Sequence, residues 1–174
     1  MIKSYRYRLY PTKTQEELLS KHFGCVRFIY NWGLDYKTRF YKKTGKSIGY
    51  MQISGKGGAL SHIKKENEWL KEVNSQSLVS ALGNLDKAYS NFFAHRASFP
   101  LFKKKSSKQS FQVPQHGWFD TKNNRLHIPK FKGGICCKIH RKMPTGRQGT
   151  ITISRNPSGR YFASVLVEVD DPII

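Results

Sequence analysis

Acidic residues are scarce in this chain. Its 174 residues include only 11 Asp and Glu against 31 Lys and Arg, which gives a formal net charge of +20. A chain this basic repels itself unless it meets a polyanion, so nucleic acid is the first partner to consider and a membrane surface the second. The sequence also lacks a run of 18 apolar residues, which excludes a membrane-spanning helix, and it has no signal-peptide core.

Cysteine is equally sparse, with three residues and no C-x-x-C pair. This number forms no disulfide framework and indicates a reducing compartment. Cys137 and His140 are three residues apart on a predicted strand, where they point to opposite faces, so we expect no zinc site. Cys25 and Cys136 are predicted to be thiols of the core.

The shortage of carboxylates also argues against catalysis. Two-metal phosphodiester hydrolysis needs several carboxylates that converge on Mg²⁺, and between Asp86 and Glu168 the only acid is Asp120. Neither a P-loop nor a G-x-S-x-G motif is present, and Gly55–Gly58 lacks the phosphate-loop spacing. We therefore predict no catalytic residue, no metal and no cofactor for this chain.

Positive charge is concentrated in the second half of the sequence. Residues 87–167 contain 16 basic residues and one acid. The densest run is Lys103, Lys104 and Lys105, followed by Lys108. A solvated loop is the alternative for such a run, but most of these cations lack an internal partner, which favours phosphate contacts. With 6–8 contacts, log affinity should fall with log salt at a slope of roughly −5 to −7.

Hydrophobic periodicity predicts a strand, a block of helices and further strands. Alternation over Tyr5–Tyr10 predicts the first strand, and spacings of three and four residues predict a helix to about Phe40. Gly24 and Gly33 argue against one unbroken rod. Thr14 and Glu17 suggest its capping box.

After this helix we expect a glycine-rich loop, or an irregular start of a helix, over 49–58 and a short helix over 60–65. A second long helix is predicted from about Ser75, its N-cap, to Arg96, and Pro100 prevents its continuation.

After Pro100 the period changes to that of strands. Short β runs fall at 126–128, 135–139 and 150–154, and Asn156–Gly159 is the turn of a hairpin with the strand 161–169. The fold class predicted is therefore α+β: one β-barrel, formed by residues 1–10 and 101–174, with residues 11–100 inserted as a helical bundle.

Aromatic residues alternate with these cations in two places. Arg6 and Arg8 lie among Tyr5, Tyr7 and Tyr10, and a second group surrounds the lysine run: Phe99, Phe102, Phe111, Trp118 and Phe119. Cations for phosphate beside aromatics for stacking suit single-stranded or RNA-containing targets. The alternative is that the aromatics belong to the core, which we expect for more than half of them.

Several sequence motifs, taken together in their order along the chain, indicate a family more specifically than the chemistry of their residues does. They are YRLYPT (7–12), Gln15, FGCVRFIYNW (23–32), WLKEV (69–73), the helix segment 81–93 with Asn84, Asp86 and Asn91, FPLFKKK (99–105) and QSF (109–111). This series resembles the N-terminal half of the TnpB family. These are prokaryotic, transposon-encoded RNA-guided DNA endonucleases that are often described as transposases with a helix-turn-helix domain. The resemblance covers essentially the whole chain.

The resemblance implies a wedge-like β-barrel, split by a helical recognition bundle, that holds guide RNA and DNA. It also implies a RuvC-like nuclease with an Asp/Glu/Asp site, then a zinc ribbon, both beyond the last residue of this sequence. Mg²⁺ and Zn²⁺ are therefore expected only for those missing domains. The expected location is cytoplasmic and nucleoid-associated.

DNA-reading residues carried over from the family are Tyr50, Ser54, Ser75 and Gln76. Many relatives carry a glutamine where this chain has Val79, which leaves the DNA motif undetermined. The alternatives are a simple N-cap for Ser75 and loop packing for Tyr50.

The predicted function is binding without cutting. Arg6, Arg8, Lys103, Lys104, Lys105 and Lys108 are expected to hold RNA phosphates. The rival functions are a nuclease completed by a second chain and a generic RNA-binding or ribosome-associated protein. Without the nuclease, we expect exposed apolar surface at Val165, Val167 and Ile173–Ile174.

Overall fold

The structure, a computed structural model, describes residues 1–169. The chain divides into two compact units. Met1–Ser20 together with the chain from Lys108 onward forms a β unit, and Lys21–Ser107 forms a helical unit. Ile173 and Ile174, which we named as possible exposed apolar residues, lie outside the described residues.

The β unit is a curled, seven-stranded antiparallel sheet, which has the form of a half-barrel and confirms the α+β class. Its strands follow the spatial order β2-β6-β7-β1-β5-β4-β3. Their bounds are β1 Ile2–Tyr10, β2 Gln109–Val113, β3 Trp118–Asp120, β4 Arg125–His127, β5 Ile135–Lys138, β6 Arg147–Arg155 and β7 Tyr161–Glu168. The predicted hairpin is confirmed as β6 and β7, joined by a turn at 156–160.

The curl is visible at Gly117. A Cβ atom on this residue would lie 2.8 Å from Ile151 Cδ1 in β6 and 3.5 Å from Ile128 Cγ2, just after β4. Strands near the two ends of the sheet thus contribute to one core, and a glycine is needed where they converge.

Strand β1 lies near the centre of the sheet, between β7 and β5. Its alternating pattern places Tyr5, Tyr7 and Leu9 in the core, while Arg6 on the opposite face is exposed. This alternation was the basis of the sequence prediction, and it defines two faces of the sheet: an inner face that packs the core and an outer face that carries Arg6 and Arg8.

Two expectations for this unit were wrong, and two of its strands were not predicted. Val165 and Val167 are buried rather than exposed, because they belong to the inner face of β7. Cys136 is exposed, because the alternation of β5 turns Ile135 and Cys137 inward instead. Strands β2 and β3 were missed, since the aromatic residues Phe111, Trp118 and Phe119 had been interpreted only as candidates for stacking or the core.

The helical unit contains one very long helix and several shorter ones. The helices are α1 Lys13–Thr44, whose first turns belong to the β unit, then α2 Tyr50–Ser54, α3 Ala59–Glu66, a 3₁₀ helix Glu68–Glu72, and α4 Ser75–Phe93. The short helix predicted at 60–65 is confirmed as α3. Of the two alternatives for 49–58, a loop throughout is wrong, because Gln52 Oε1 accepts a hydrogen bond from the Gly49 N–H and caps the start of the short helix α2.

Helix α1 is unbroken despite its two glycines, contrary to expectation. A Cβ atom at Gly33 would lie 2.6 Å from Leu82 Cδ2 and 3.0 Å from Leu85 Cδ2 of α4. Gly33 therefore permits a close crossing of two helices and does not break α1.

The predicted helix caps were displaced by one or two residues. The capping box of α1 is Thr12 with Gln15, in which Thr12 Oγ1 accepts from the Gln15 N–H and Gln15 Oε1 accepts from the Thr12 N–H. The N-cap of α4 is Asn74, whose side chain accepts from the Gln76 N–H, so Ser75 is the first helical residue and not the cap. Helix α4 ends at Phe93, earlier than the predicted Arg96, and His95 follows with a φ of 58°.

Candidate nucleic-acid interface

The outer face of the sheet brings cations and aromatic rings together. Arg6 places its guanidinium 3.9 Å from the centre of the Phe162 ring, and Arg8 lies 4.8 Å from the Tyr10 ring. Arg6 reaches Phe162 diagonally, since Phe162 lies opposite Arg8 in the register with β7, and Arg8 and Tyr10 are two residues apart on the same face of β1. Lys138 of β5 lies opposite Arg8 on its other side. The stacking holds each guanidinium in place while its N–H donors stay available to a phosphate.

Polar, uncharged residues continue the outer face beyond β7. In the register of the sheet, Ser154 of β6 lies opposite Phe162 and Thr152 lies opposite Ser164. Ser110 and Gln112 of β2 lie opposite those two β6 residues. Ser154 is buried, and the others are half-buried, so this part of the outer face offers fewer accessible donors than the strip around β1.

On the other side of β1, the outer face carries two further cations. Arg125 of β4 lies opposite Cys136, and Lys138 of β5 lies opposite Arg8. Sequence reasoning did not name either residue as a site residue. The alternation of β4 and β5 could have identified them, since Leu126 and Cys137 point inward.

Arg141 was also missed, and it acts inside the β unit. Its guanidinium lies 4.2 Å from the Tyr5 ring and donates to the Ser4 carbonyl oxygen at 2.7 Å. The Tyr7 hydroxyl in turn donates to the Arg141 carbonyl oxygen at 2.7 Å. Burial raises the pKa of Tyr7, although Arg141 opposes the shift. These contacts attach the irregular segment that follows β5 to strand β1.

The lysines of the predicted basic run differ in the contacts that they make. The Lys103 ammonium lies 4.3 Å from the Tyr30 ring centre, and partial burial of that ammonium lowers the pKa of Lys103. Asn31 holds the backbone of Lys103 from both sides, accepting from its N–H at 2.7 Å and donating to its carbonyl at 2.9 Å. Lys103, Lys104, Lys105 and Lys108 are all exposed as residues, and Lys103 differs in that its ammonium end rests on a ring. Lys103 thus anchors this segment to α1 and directs its ammonium toward Tyr30.

We predict that Asn31→Ala frees this segment without unfolding the protein. Two hydrogen bonds of about 1 kcal/mol each are lost, about 2 kcal/mol together, so trypsin cleavage after residues 103–105 should accelerate by roughly 30-fold. The measurement is the initial cleavage rate by mass spectrometry, with cleavage after Lys42 or Lys43 of the same molecule as the internal control. Equal cleavage rates in both proteins would show that Asn31 does not hold the segment.

The four candidate DNA-reading residues lie on two helices of the helical unit. Tyr50 and Ser54 are half-buried on α2, and the Ser54 hydroxyl donates to the Tyr50 carbonyl. Ser75 and Gln76 are exposed in the first turn of α4. Their contacts with DNA stay a prediction.

Helix α2 packs against α4, and the Tyr50 ring takes part in this contact. A Cβ atom at Gly83 would lie 3.9 Å from Tyr50 Cε2. Beside it, Lys37 donates to the Ile48 carbonyl at 2.7 Å, and burial lowers the pKa of Lys37 while Asp86 opposes the shift. Tyr50 therefore has a packing role, whichever DNA contacts it makes.

The aromatic residues interspersed with cations divide evenly. Four belong to the core, namely Tyr5, Tyr7, Phe111 and Phe119, and four are exposed, namely Tyr10, Phe99, Phe102 and Trp118. Exposed rings beside cations are the ones that can stack on bases.

Among residues 1–169, no group of three or more His, Cys, Asp or Glu side chains is arranged to hold a metal ion. Burial raises the pKa of the Cys25 and Cys137 thiols to about 11, so they are poor ligands and poor nucleophiles at neutral pH. No helix in this part of the chain is long and apolar enough to cross a membrane.

Comparison with known proteins gives three relevant relatives and one domain model. Residues 1–46 match a helix-turn-helix domain model of the OrfB/IS605 type. In the structure they contain β1 and the whole of α1. The chain is 35% identical, over 95% of its length, to a putative RNA-guided DNA endonuclease of Streptomyces pristinaespiralis. It is 31% identical, over 96% of its length, to the putative RNA-guided DNA endonuclease InsQ of Escherichia coli K12.

The third relative is shorter. The chain is 35% identical to the virulence protein VsdF of Salmonella dublin, over 62% of this chain and 98% of that protein. By contrast, the chain spans 41% of the Streptomyces protein and 40% of InsQ. These matches confirm the resemblance in the motifs of residues 7–111, and the chain belongs to the TnpB family.

Proposed function

We propose that this chain is the nucleic-acid-binding part of a TnpB-like RNA-guided DNA endonuclease. In this proposal it binds guide RNA and target DNA, and it does not cut either on its own. The observation that carries the proposal is the outer face of the sheet, where Arg6, Arg8 and Lys138 lie beside Phe162 and Tyr10.

Charge supports a polyanion over other ligands. The outer face carries four cations on three adjacent strands, and the whole chain has a net charge of +20. Arg guanidinium groups stacked on rings keep planar donors for phosphate oxygens, and a sheet face with exposed aromatics also accepts bases. A carboxylate-rich catalytic centre has no counterpart among the described residues.

The helical unit supplies the DNA-reading part of the proposal. Ser75 and Gln76 are exposed at the start of α4, where backbone N–H groups and short polar side chains can contact a DNA backbone or base edges. Tyr50 and Ser54 on the adjoining α2 complete the set. Lys104, Lys105 and Lys108 would add phosphate contacts, whereas Lys103 would act mainly by holding their segment in place.

A competition experiment tests this proposal against the generic RNA-binding alternative. Purified protein is titrated with labelled RNA transcribed from its own locus, in the presence of excess bulk RNA. We expect the locus RNA to outcompete bulk RNA by at least tenfold. Equal competition would support a generic RNA-binding protein.

An assay with Mg²⁺ and duplex DNA, with and without the locus RNA, tests the absence of cutting. The proposal predicts intact DNA. Cleavage by this chain that EDTA abolishes would contradict it.

A further inference from the structure

Trp118 is an exposed indole on the outer face of the sheet. It lies on β3 with 52% of its surface accessible. One face of its ring is covered by the imidazole of His127, at 4.4 Å between ring centres and 15° between planes. The accessible half therefore includes the opposite face of the indole.

The imidazole beneath the indole is held from several sides. His127 is the cross-strand partner of Trp118 in the β3–β4 ladder, and its Nε2 lies 3.7 Å from Asp120 Oδ2. Gly134, with a φ of +76°, leaves room for the ring: a Cβ atom there would lie 3.0 Å from His127 Nδ1 and Cε1. The stack is thus built into the fold.

Asp120 is itself fixed. Its carboxylate accepts hydrogen bonds from the N–H groups of Lys122 and Asn123 and from the Asn123 side chain, and these bonds lower the pKa of Asp120. The carboxylate therefore stays ionised, and its hydrogen bonds within the hairpin hold it in place. Arg125, its cross-strand neighbour, is exposed and lies on the side of the sheet that leads to Arg8 and Lys138.

We propose that the Trp118–His127 stack is a platform for one unpaired base of a nucleic-acid strand that crosses the outer face. A preformed, flat, half-exposed indole can stack on any base, and Arg125 can hold the adjoining phosphate. The inference rests on the proposed function, because it names a subsite of the same surface. It requires a strand with unpaired bases, either RNA or DNA.

The test compares strands with and without bases. The probes are 15-nucleotide oligo(U), 15-nucleotide oligo(dT) and an oligomer of 15 abasic nucleotides with the same charge. Trp118→Ala should weaken binding of oligo(U) or oligo(dT) by roughly tenfold and leave binding of the abasic oligomer unchanged. Trp118→Phe should retain most of the affinity. Trp69→Ala is the matched control, since Trp69 is also half-exposed but packs on Phe28 in the helical unit.

Fluorescence provides a readout that does not depend on the folding of a Trp118 variant. In protein with Trp32→Phe and Trp69→Phe, the remaining indole should be quenched by oligo(U) or oligo(dT) and much less by the abasic oligomer. The response to oligo(U) against oligo(dT) shows which strand chemistry the platform prefers.

The outcomes separate the platform from the proposed function. If wild-type protein binds the locus RNA, but Trp118→Ala binds all three probes as wild type does and the indole is not quenched, the platform is wrong and the proposed function stands. If Trp118→Ala weakens binding of the abasic oligomer equally, Trp118 contributes to structure and not to stacking. If wild-type protein binds no nucleic acid, both proposals are overturned.

Discussion

Replacing Arg6 and Arg8 together by glutamine should weaken RNA binding by roughly 100-fold at about 0.1 M salt. Each guanidinium can make a charge-assisted contact with phosphate of about 1.5 kcal/mol or more, and two such contacts correspond to this factor. The slope of log affinity against log salt should also become shallower by about 2, because two fewer counterions are released. The measurement is a filter-binding or anisotropy titration at several salt concentrations.

The matched control for this prediction is Lys42→Gln with Lys43→Gln. These residues lie in the last turn of α1 and are exposed, and their replacement changes the net charge by the same amount. If affinity depends on net charge alone, both double variants lose it equally, and the outer face has no special role. Because Arg6 is exposed and Arg8 lies on the outer face, circular dichroism should show an unchanged fold in both variants.

Gly33→Val should destabilise the helical unit by roughly 3 kcal/mol, the largest stability effect that we expect from one substitution. A Cβ atom at this position would already lie 2.6 Å from Leu82 Cδ2, and valine adds two methyl groups. Leu82 and Leu85 are both buried, so their side chains have little space into which to move. Overpacking of this kind costs about 1–3 kcal/mol or more, which exceeds the gain in helix propensity on replacing glycine.

Gly24→Val is the matched control on the same helix. A Cβ atom at Gly24 has only the Arg27 side chain nearby, at 3.9 Å, so the same substitution should have a small effect. Thermal unfolding followed at 222 nm should show a melting temperature lower by roughly 10 °C for Gly33→Val alone. Leu82→Ala added to Gly33→Val should recover part of the loss. Equal melting of the two valine variants would mean that α1 and α4 do not cross closely at Gly33.

Much of the fold could be predicted because local patterns agreed with the long-range structure. Alternation in β1 and in the β6–β7 hairpin was strong enough to give the correct strands and faces. The predictions that failed concern residues whose packing partners are distant in sequence. From sequence alone Gly33 is interpreted as a helix breaker, because the contact with Leu82 is not visible there. The choice of Cys136 as the core thiol failed because pairing with β1 decides which side of β5 faces inward, and that pairing places Cys137 opposite Leu9.

The candidate site was predictable only in part, for the same reason. Arg6 and Arg8 were identified from their own strand, but their ring partner Phe162 lies in β7, more than 150 residues further along the chain. Lys103 was grouped with its neighbours because sequence shows charge but not the Tyr30 ring and the Asn31 amide that hold it. Trp118 and His127 face each other only through the β3–β4 register, and β3 was not predicted.

The most direct test of a phosphate-binding surface is the salt dependence of RNA binding by the unmodified protein. Association constants for the locus RNA would be measured from about 50 to 200 mM salt. With six to eight phosphate contacts, the account predicts a slope of roughly −5 to −7 for log affinity against log salt. A slope between about 0 and −2 would contradict it, because so few released counterions cannot come from a surface that gathers these lysines and arginines around a nucleic acid.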